Sequence, residues 1–137
     1  MITFLPSHRD QILACAREAD PAECCGLLGG AGELVKSIYP LRNVAADTVI
    51  SYEAAPEDLF AAQRQMRERR EELLAIYHSH PRAAEPEPSE TDVRLAFYPQ
   101  AVYLIVGLAG PQPVIRAFRI SERDERWEEV EYAVAGE

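Results

Sequence analysis

Basic residues are scarce in this 137-residue chain: 14 Lys and Arg stand against 23 Asp and Glu, for a formal charge of −9. That balance leaves no cationic face for phosphate contacts, so no nucleic-acid partner is expected, and no anionic lipid surface either. No apolar run approaches the ~20 residues of a membrane span. The opening residues, Met1 to Pro6, place no basic segment ahead of an apolar one, so no secretion signal is read and a cytoplasmic location is the default. Cysteine is sparse and odd in number (Cys15, Cys24 and Cys25, two of them adjacent), which makes a poor disulfide framework and suits a reducing compartment. Internal repeats, low-complexity tracts and long linkers are also missing. Residues 1–137 are therefore expected to form a single domain, long enough to bury a real core.

What is present is an alternation of short helical and strand-like segments. Residues 7–19 read as a helix, with Ile12, Cys15, Ala16 and Ala19 on one face, Ser7 as N-cap and Asp10 completing a variant capping box. Glu23–Leu28 reads as a strand running into the Gly29-Gly30 turn, and Leu34–Tyr39 as its hairpin partner. Ile50 and Tyr52 alternate like a brief strand. Pro56-Glu57-Asp58 opens a second helix with proline and acids in its first turn. Leu73–Tyr77 and Ala101–Leu108 are continuous apolar runs expected as buried strands. A short helix is expected over 90–97 and a strand over 114–120. Val130, Tyr132 and Val134 alternate with Glu129, Glu131 and Ala133 like a half-exposed strand. The sum is an α+β domain, a mixed sheet flanked by about three helices.

Two of the three histidines, His78 and His80, lie at i and i+2 where the 73–77 strand ends. In a strand that spacing points both imidazoles to one side; on a helix the pair would diverge by roughly 200°. A lone His-x-His is equally well two surface histidines in a loop. Pro81, Pro86 and Pro88, however, stiffen the segment that follows and deliver Ser89 and Asp92 to a helix start. Asp92 can supply a third, carboxylate ligand. Two imidazoles, one carboxylate and a water make an open tetrahedral zinc site, and such an ion lowers the pKa of its water from 15.7 to about 7. The competing reading makes Ser89 the helix N-cap and Asp92 its reciprocal partner, with no metal role.

The water's proton needs an acceptor and the leaving amine needs a donor. One carboxylate that is not a ligand can serve both needs in turn. Glu23, at the head of an apolar, cysteine-rich strand, is the candidate, because an unpaired carboxylate is costly there; a solvent-facing strand-start glutamate is the plain alternative. In an extended strand Cys25 shares a face with Glu23, and its thiolate is a rival zinc ligand that would leave Asp92 as a cap. Cys15 and Cys24 read as core and His8 as a surface residue. Arg64, Arg67, Arg69 and Arg70, interleaved with glutamates, read as a solvated helix face.

His78-x-His80-Pro81, seven residues, then Ser89-x-x-Asp92 resembles the signature of the JAMM (MPN-plus) metalloprotease family in its small bacterial form. Pro21-Ala22-Glu23-Cys24-Cys25-Gly26-Leu27-Leu28 resembles that family's segment bearing the catalytic glutamate, and Arg42-Asn43-Val44-Ala45 extends the likeness. The resemblance implies a cytidine-deaminase-like JAB/MPN fold, a zinc isopeptidase, and Ser89 as donor to the oxyanion. Its bacterial members imply a ubiquitin-like or sulfur-carrier protein substrate cut after a Gly-Gly tail. A homodimer is compatible with it. Two other functions stand beside this one. A non-catalytic MPN-type scaffold with a structural metal would have no use for Glu23. A nucleoside deaminase expects His-x-Glu and Pro-Cys-x-x-Cys, and neither is present.

Overall fold

The structure, a computed structural model, describes all residues 1–137. In chain order its elements are β1 (Thr3–Phe4), α1 (Pro6–Ala19), β2 (Cys25–Ala31), β3 (Leu34–Leu41), α2 (Pro56–Glu68), β4 (Glu72–His80), α3 (Glu90–Arg94), β5 (Val102–Gly107), β6 (Val114–Ser121), β7 (Arg126–Val130) and β8 (Ala133–Val134). The strands form one sheet of eight in the order β7-β6-β5-β4-β2-β3-β1-β8. Pairings β4–β5, β1–β3 and β1–β8 are parallel and the rest antiparallel. This is the mixed sheet with helices that the sequence led us to expect. No helix is long and apolar enough to cross a membrane.

The two-residue period of the central strands splits the core between the two faces of the sheet. On one face Leu28, Ala75, Tyr77, Leu104 and Val106 pack with Phe4 and with Ile12 and Ala16 of α1. On the other face Leu27, Ile76, Tyr103, Ile105 and Phe118 pack with Ala62 and Met66 of α2. Full burial of each large apolar side chain contributes roughly 1.5–3 kcal/mol, so the central strands β2, β4 and β5 are anchored twice, once per face. His78 and His80 have the parity of Ile76 and therefore face the α2 side.

Several local expectations are corrected. Leu5, not Ser7, is the N-cap of α1, and the buried His8 completes the capping box by accepting the Leu5 N–H at Nδ1, 3.1 Å away. Pro6, whose fixed φ suits the first helical position, starts the helix early and leaves Ser7 exposed inside it. Strand β2 begins at Cys25, so Glu23 stands just outside the ladder. Helix α3 ends at Arg94 rather than near Phe97. The 50–52 segment forms no strand; its neighbourhood contributes only an isolated bridge between Asn43 and Ala54. The alternating run 130–134 is divided between the two edges of the sheet, β7 pairing with β6 and β8 with β1. Tyr132 sits at the division, its ring stacked on Phe4 and its hydroxyl donating to the Ile115 carbonyl at 2.8 Å.

Gly107 ties the sheet to the loop that follows β4. It pairs with His80, and a Cβ there would stand 2.6 Å from the Ala83 carbonyl oxygen and 2.7 Å from Pro86 Cδ. Only a residue without a side chain lets residues 81–88 lie this close to β5. Gly107→Ala is expected to cost about 1–3 kcal/mol through overpacking. Urea unfolding measures this, and an unchanged midpoint would mean that the loop yields freely.

Candidate metal centre

Strand pairing brings the functional side chains together. Antiparallel β2 and β4 place Cys25 opposite His78, and the same register continued past the end of β2 sets Glu23 level with His80. Two hydrogen bonds hold that continuation: the Ser79 N–H donates to the Cys24 carbonyl at 3.2 Å, and the Cys24 N–H donates to Ser79 Oγ at 2.8 Å. Ser79 points away from its histidine neighbours and is fully buried. Its role was missed in the sequence, although a polar residue between two same-side histidines of a buried strand must find a partner on the opposite face.

The imidazoles converge. His78 Nε2 and His80 Nε2 are 3.1 Å apart, and Asp92 Oδ2 lies 3.2 Å from the first and 3.1 Å from the second. Adjacent ligand atoms on a tetrahedral zinc, bound at roughly 2.0–2.1 Å, are separated by about 3.3 Å, so the spacing and chemistry of this donor set fit a single divalent ion. The His78 side chain is fully buried and that of Asp92 is 8% exposed. A Glu23 carboxylate oxygen also lies within 4.8 Å of both imidazole nitrogens. Tyr52 stacks on His78, ring centroids 4.6 Å apart at 28°.

Asp92 also takes part in the cap. Its Oδ2 accepts the Ser89 N–H at 2.9 Å, while its own N–H donates to Ser89 Oγ at 3.1 Å. The capping and imidazole-facing readings of Asp92 are therefore compatible, since one oxygen does both. Burial works to raise the Asp92 carboxyl, but His78, His80 and the Ser89 N–H hold it well below the usual carboxylate range. Burial likewise lowers His80, and the hydrogen bond and charge of Asp92 outweigh it, leaving His80 raised. Glu23 is 6% exposed. Burial pushes its carboxyl up to about 7, with His80 pulling down and Asp92 adding to the rise. Cys25 is turned to another partner: its Sγ lies 3.6 Å from the Leu41 carbonyl oxygen, and burial pushes the thiol up to about 12. With its sulfur directed at Leu41, Cys25 stands outside the group formed by Glu23, His78 and His80.

An apolar cleft of about 520 Å³ opens beside Asp92, walled by Leu41, Tyr52, Leu95, Phe97 and Tyr103. A larger, mostly polar hollow of about 640 Å³ touches Ser89 but neither imidazole.

Residues 5–121 match the family described as prokaryotic homologs of the JAB domain. The chain belongs to this family. Among its relatives, desampylase of Haloferax volcanii is 39% identical over 110 residues, covering 76% of this chain and 78% of that protein. The CysO-cysteine peptidase of Mycobacterium tuberculosis is 33% identical over 112 residues, covering 80% of this chain and 75% of that one. A solved protein from Desulfitobacterium hafniense superposes with a TM-score of 0.86 at 37% identity, covering 100% of this chain and 94% of its own. In this JAB-family chain His78, His80, Asp92 and Glu23 meet in one largely buried cluster at the end of β4.

Proposed function

We propose that the protein is a zinc-dependent isopeptidase that hydrolyses the amide bond following the C-terminal Gly-Gly of a ubiquitin-like or sulfur-carrier protein. The observation that carries this reading is the convergence of His78, His80 and Asp92 on one point, with a second buried carboxylate, Glu23, close beside them. Asp92, held ionised 3.1–3.2 Å from both rings, completes the ligand set. Glu23, farther off and not a ligand in this reading, is placed beside the ligand set to take a proton from water and return it. The relatives named desampylase and CysO-cysteine peptidase support the substrate class.

His78, His80 and Asp92 would hold the zinc, which when bound supplies a Lewis acid and an acidified water. The chain's own residues do the rest. Glu23 accepts the proton of the attacking water and delivers it to the departing amine nitrogen. Ser89 Oγ accepts the Asp92 N–H and keeps its own hydroxyl proton free to donate to the oxygen on which charge develops. The apolar cleft beside Asp92 is where the extended tail of the carrier would lie.

The decisive assay incubates the zinc-loaded protein with carrier-protein conjugates bearing different groups after Gly-Gly, with and without a chelator. Release of a carrier ending in Gly-Gly, abolished by chelation and restored by zinc, is expected. Intact conjugates across the series would reject the proposal.

A further inference from the structure

Glu23 lies outside the sheet ladder, so its main chain must find hydrogen bonds elsewhere. It finds them in the segment after β3. The Glu23 N–H donates to the Thr48 carbonyl at 2.7 Å, and the Glu23 carbonyl accepts from Asn43 Nδ2 at 2.9 Å. The same Nδ2 donates to the Ser51 carbonyl at 3.0 Å. On the other side of the amide, Asn43 Oδ1 accepts the Ala45 N–H and the Glu53 N–H, each at 3.0 Å. A carboxamide has two donor hydrogens and two acceptor lone pairs, and Asn43 spends all four on main-chain atoms. Two carbonyls on one side and two N–H groups on the other also fix which way the amide points.

Three of these bonds matter for the metal centre. One grips Glu23. The other two grip Ser51 and Glu53, the residues on either side of Tyr52, whose ring lies against His78. The segment is closed at its base by Val44 N–H to the Glu53 carbonyl at 2.8 Å and Ala55 N–H to the Arg42 carbonyl at 2.9 Å. It is anchored to α2 by Arg42 on Asp58, 3.0 Å.

We infer that Asn43 is a positioning residue for the hydrolysis, one side-chain amide that holds both the base Glu23 and the aromatic wall Tyr52 in register with the metal-binding imidazoles. This rests on the reading of Glu23 as base. No other side chain of this size can replace it. Aspartate keeps the two acceptor bonds but turns oxygen toward the Glu23 and Ser51 carbonyls, and serine lacks the capacity. A displacement of a reacting group by about 1 Å can cost as much as a hundredfold in rate.

The test is a double-mutant cycle on the full-length, zinc-loaded protein with a Gly-Gly carrier conjugate, read as single-turnover rate at alkaline pH. Asn43→Ala removes all four bonds. Asn43→Asp keeps the two acceptor bonds, replaces the two donations with oxygen facing carbonyl oxygens, and covers the case in which the alanine variant fails to fold. Either variant is expected to lower the rate about tenfold to a hundredfold, to change KM less than kcat, and to leave zinc stoichiometry unaltered. Placed in a Glu23→Gln background, Asn43→Asp is expected to cost a clearly smaller factor than in the wild-type background, because the share of the loss that acts through Glu23 is gone and only that through Tyr52 remains. A wild-type rate for Asn43→Asp, or an equal fold-loss in both backgrounds, overturns the inference. Full activity of Glu23→Gln alone would instead overturn the assignment of Glu23 as base.

Discussion

Glu23→Gln is expected to lower turnover by about a hundredfold to ten-thousandfold, the range that general acid–base groups contribute, while zinc stays bound at unchanged stoichiometry. Glutamine keeps the shape and the buried position but can neither take the water's proton nor return it to the amine. Because the proposed ligand set is His78, His80 and Asp92, the metal should not notice. Loss of zinc together with activity would show that Glu23 is a ligand, as its approach to within 4.8 Å of both imidazole nitrogens would permit. The same substitution has a second readout in metal-free protein. Burial raises the folded-state pKa of Glu23 to about 7 from an ordinary 4.5, so folding favours the protonated form. Its stability contribution is complete below pH 4.5 and is lost as pH rises through 7. Metal-free Glu23→Gln should therefore melt above wild type at pH 8 and level with it at pH 4. An equal gain at both would mean that the ionised carboxylate is not what burial penalises.

Asp92→Ala is expected to release the metal and with it all measurable hydrolysis. Loss of a ligand should cost more affinity than the roughly 10–100-fold lost with an outer supporting contact. Two imidazoles 3.1 Å apart would then face each other without the carboxylate that compensates them. The substitution also removes the acceptor of the Ser89 N–H, one of the two reciprocal bonds of the capping box. Asp92→Asn separates the two effects, since the neutral amide keeps a capping oxygen but not the charge. Cobalt substitution gives the complementary spectrum. No thiolate absorption is expected, because Cys25 is directed at the Leu41 carbonyl; a thiolate band with retained metal in Asp92→Ala would make Cys25 the third ligand.

His78 and His80 project to one side of β4, as their spacing predicts, because the period of two is a property of the backbone alone. The hydrogen-bonded reciprocity of Ser89 and Asp92 was legible for the same reason: a capping box spans four residues. His8 shows the opposite case. Read as a surface residue, it is buried at the cap of α1; Pro6 signals the helix start, but the packing that buries the His8 ring comes from distant segments. The run 130–134 shows a period that was present and a strand that was not. Alternation specifies which side chains share a face, but not which edge of the sheet accepts the backbone. Asn43 belonged to a recognisable stretch of sequence, yet its four main-chain partners span residues 23 to 53 and are brought together only by the return of the chain past the start of β2.

The order of residues alone determined the candidate donor groups, their local spacing, the central apolar strands and the acidic character of the chain. These follow from composition and from periods of two and 3.6, which act over a few residues. Only the tertiary structure decided that Glu23 stands level with His80, that one oxygen of Asp92 serves both cap and imidazoles, and that Cys25 faces elsewhere. Those are matters of strand register and burial. Register is fixed by packing between segments tens of residues apart, and burial, by stripping water from a carboxylate, raises Glu23 in the metal-free protein while neighbouring imidazoles hold Asp92 low.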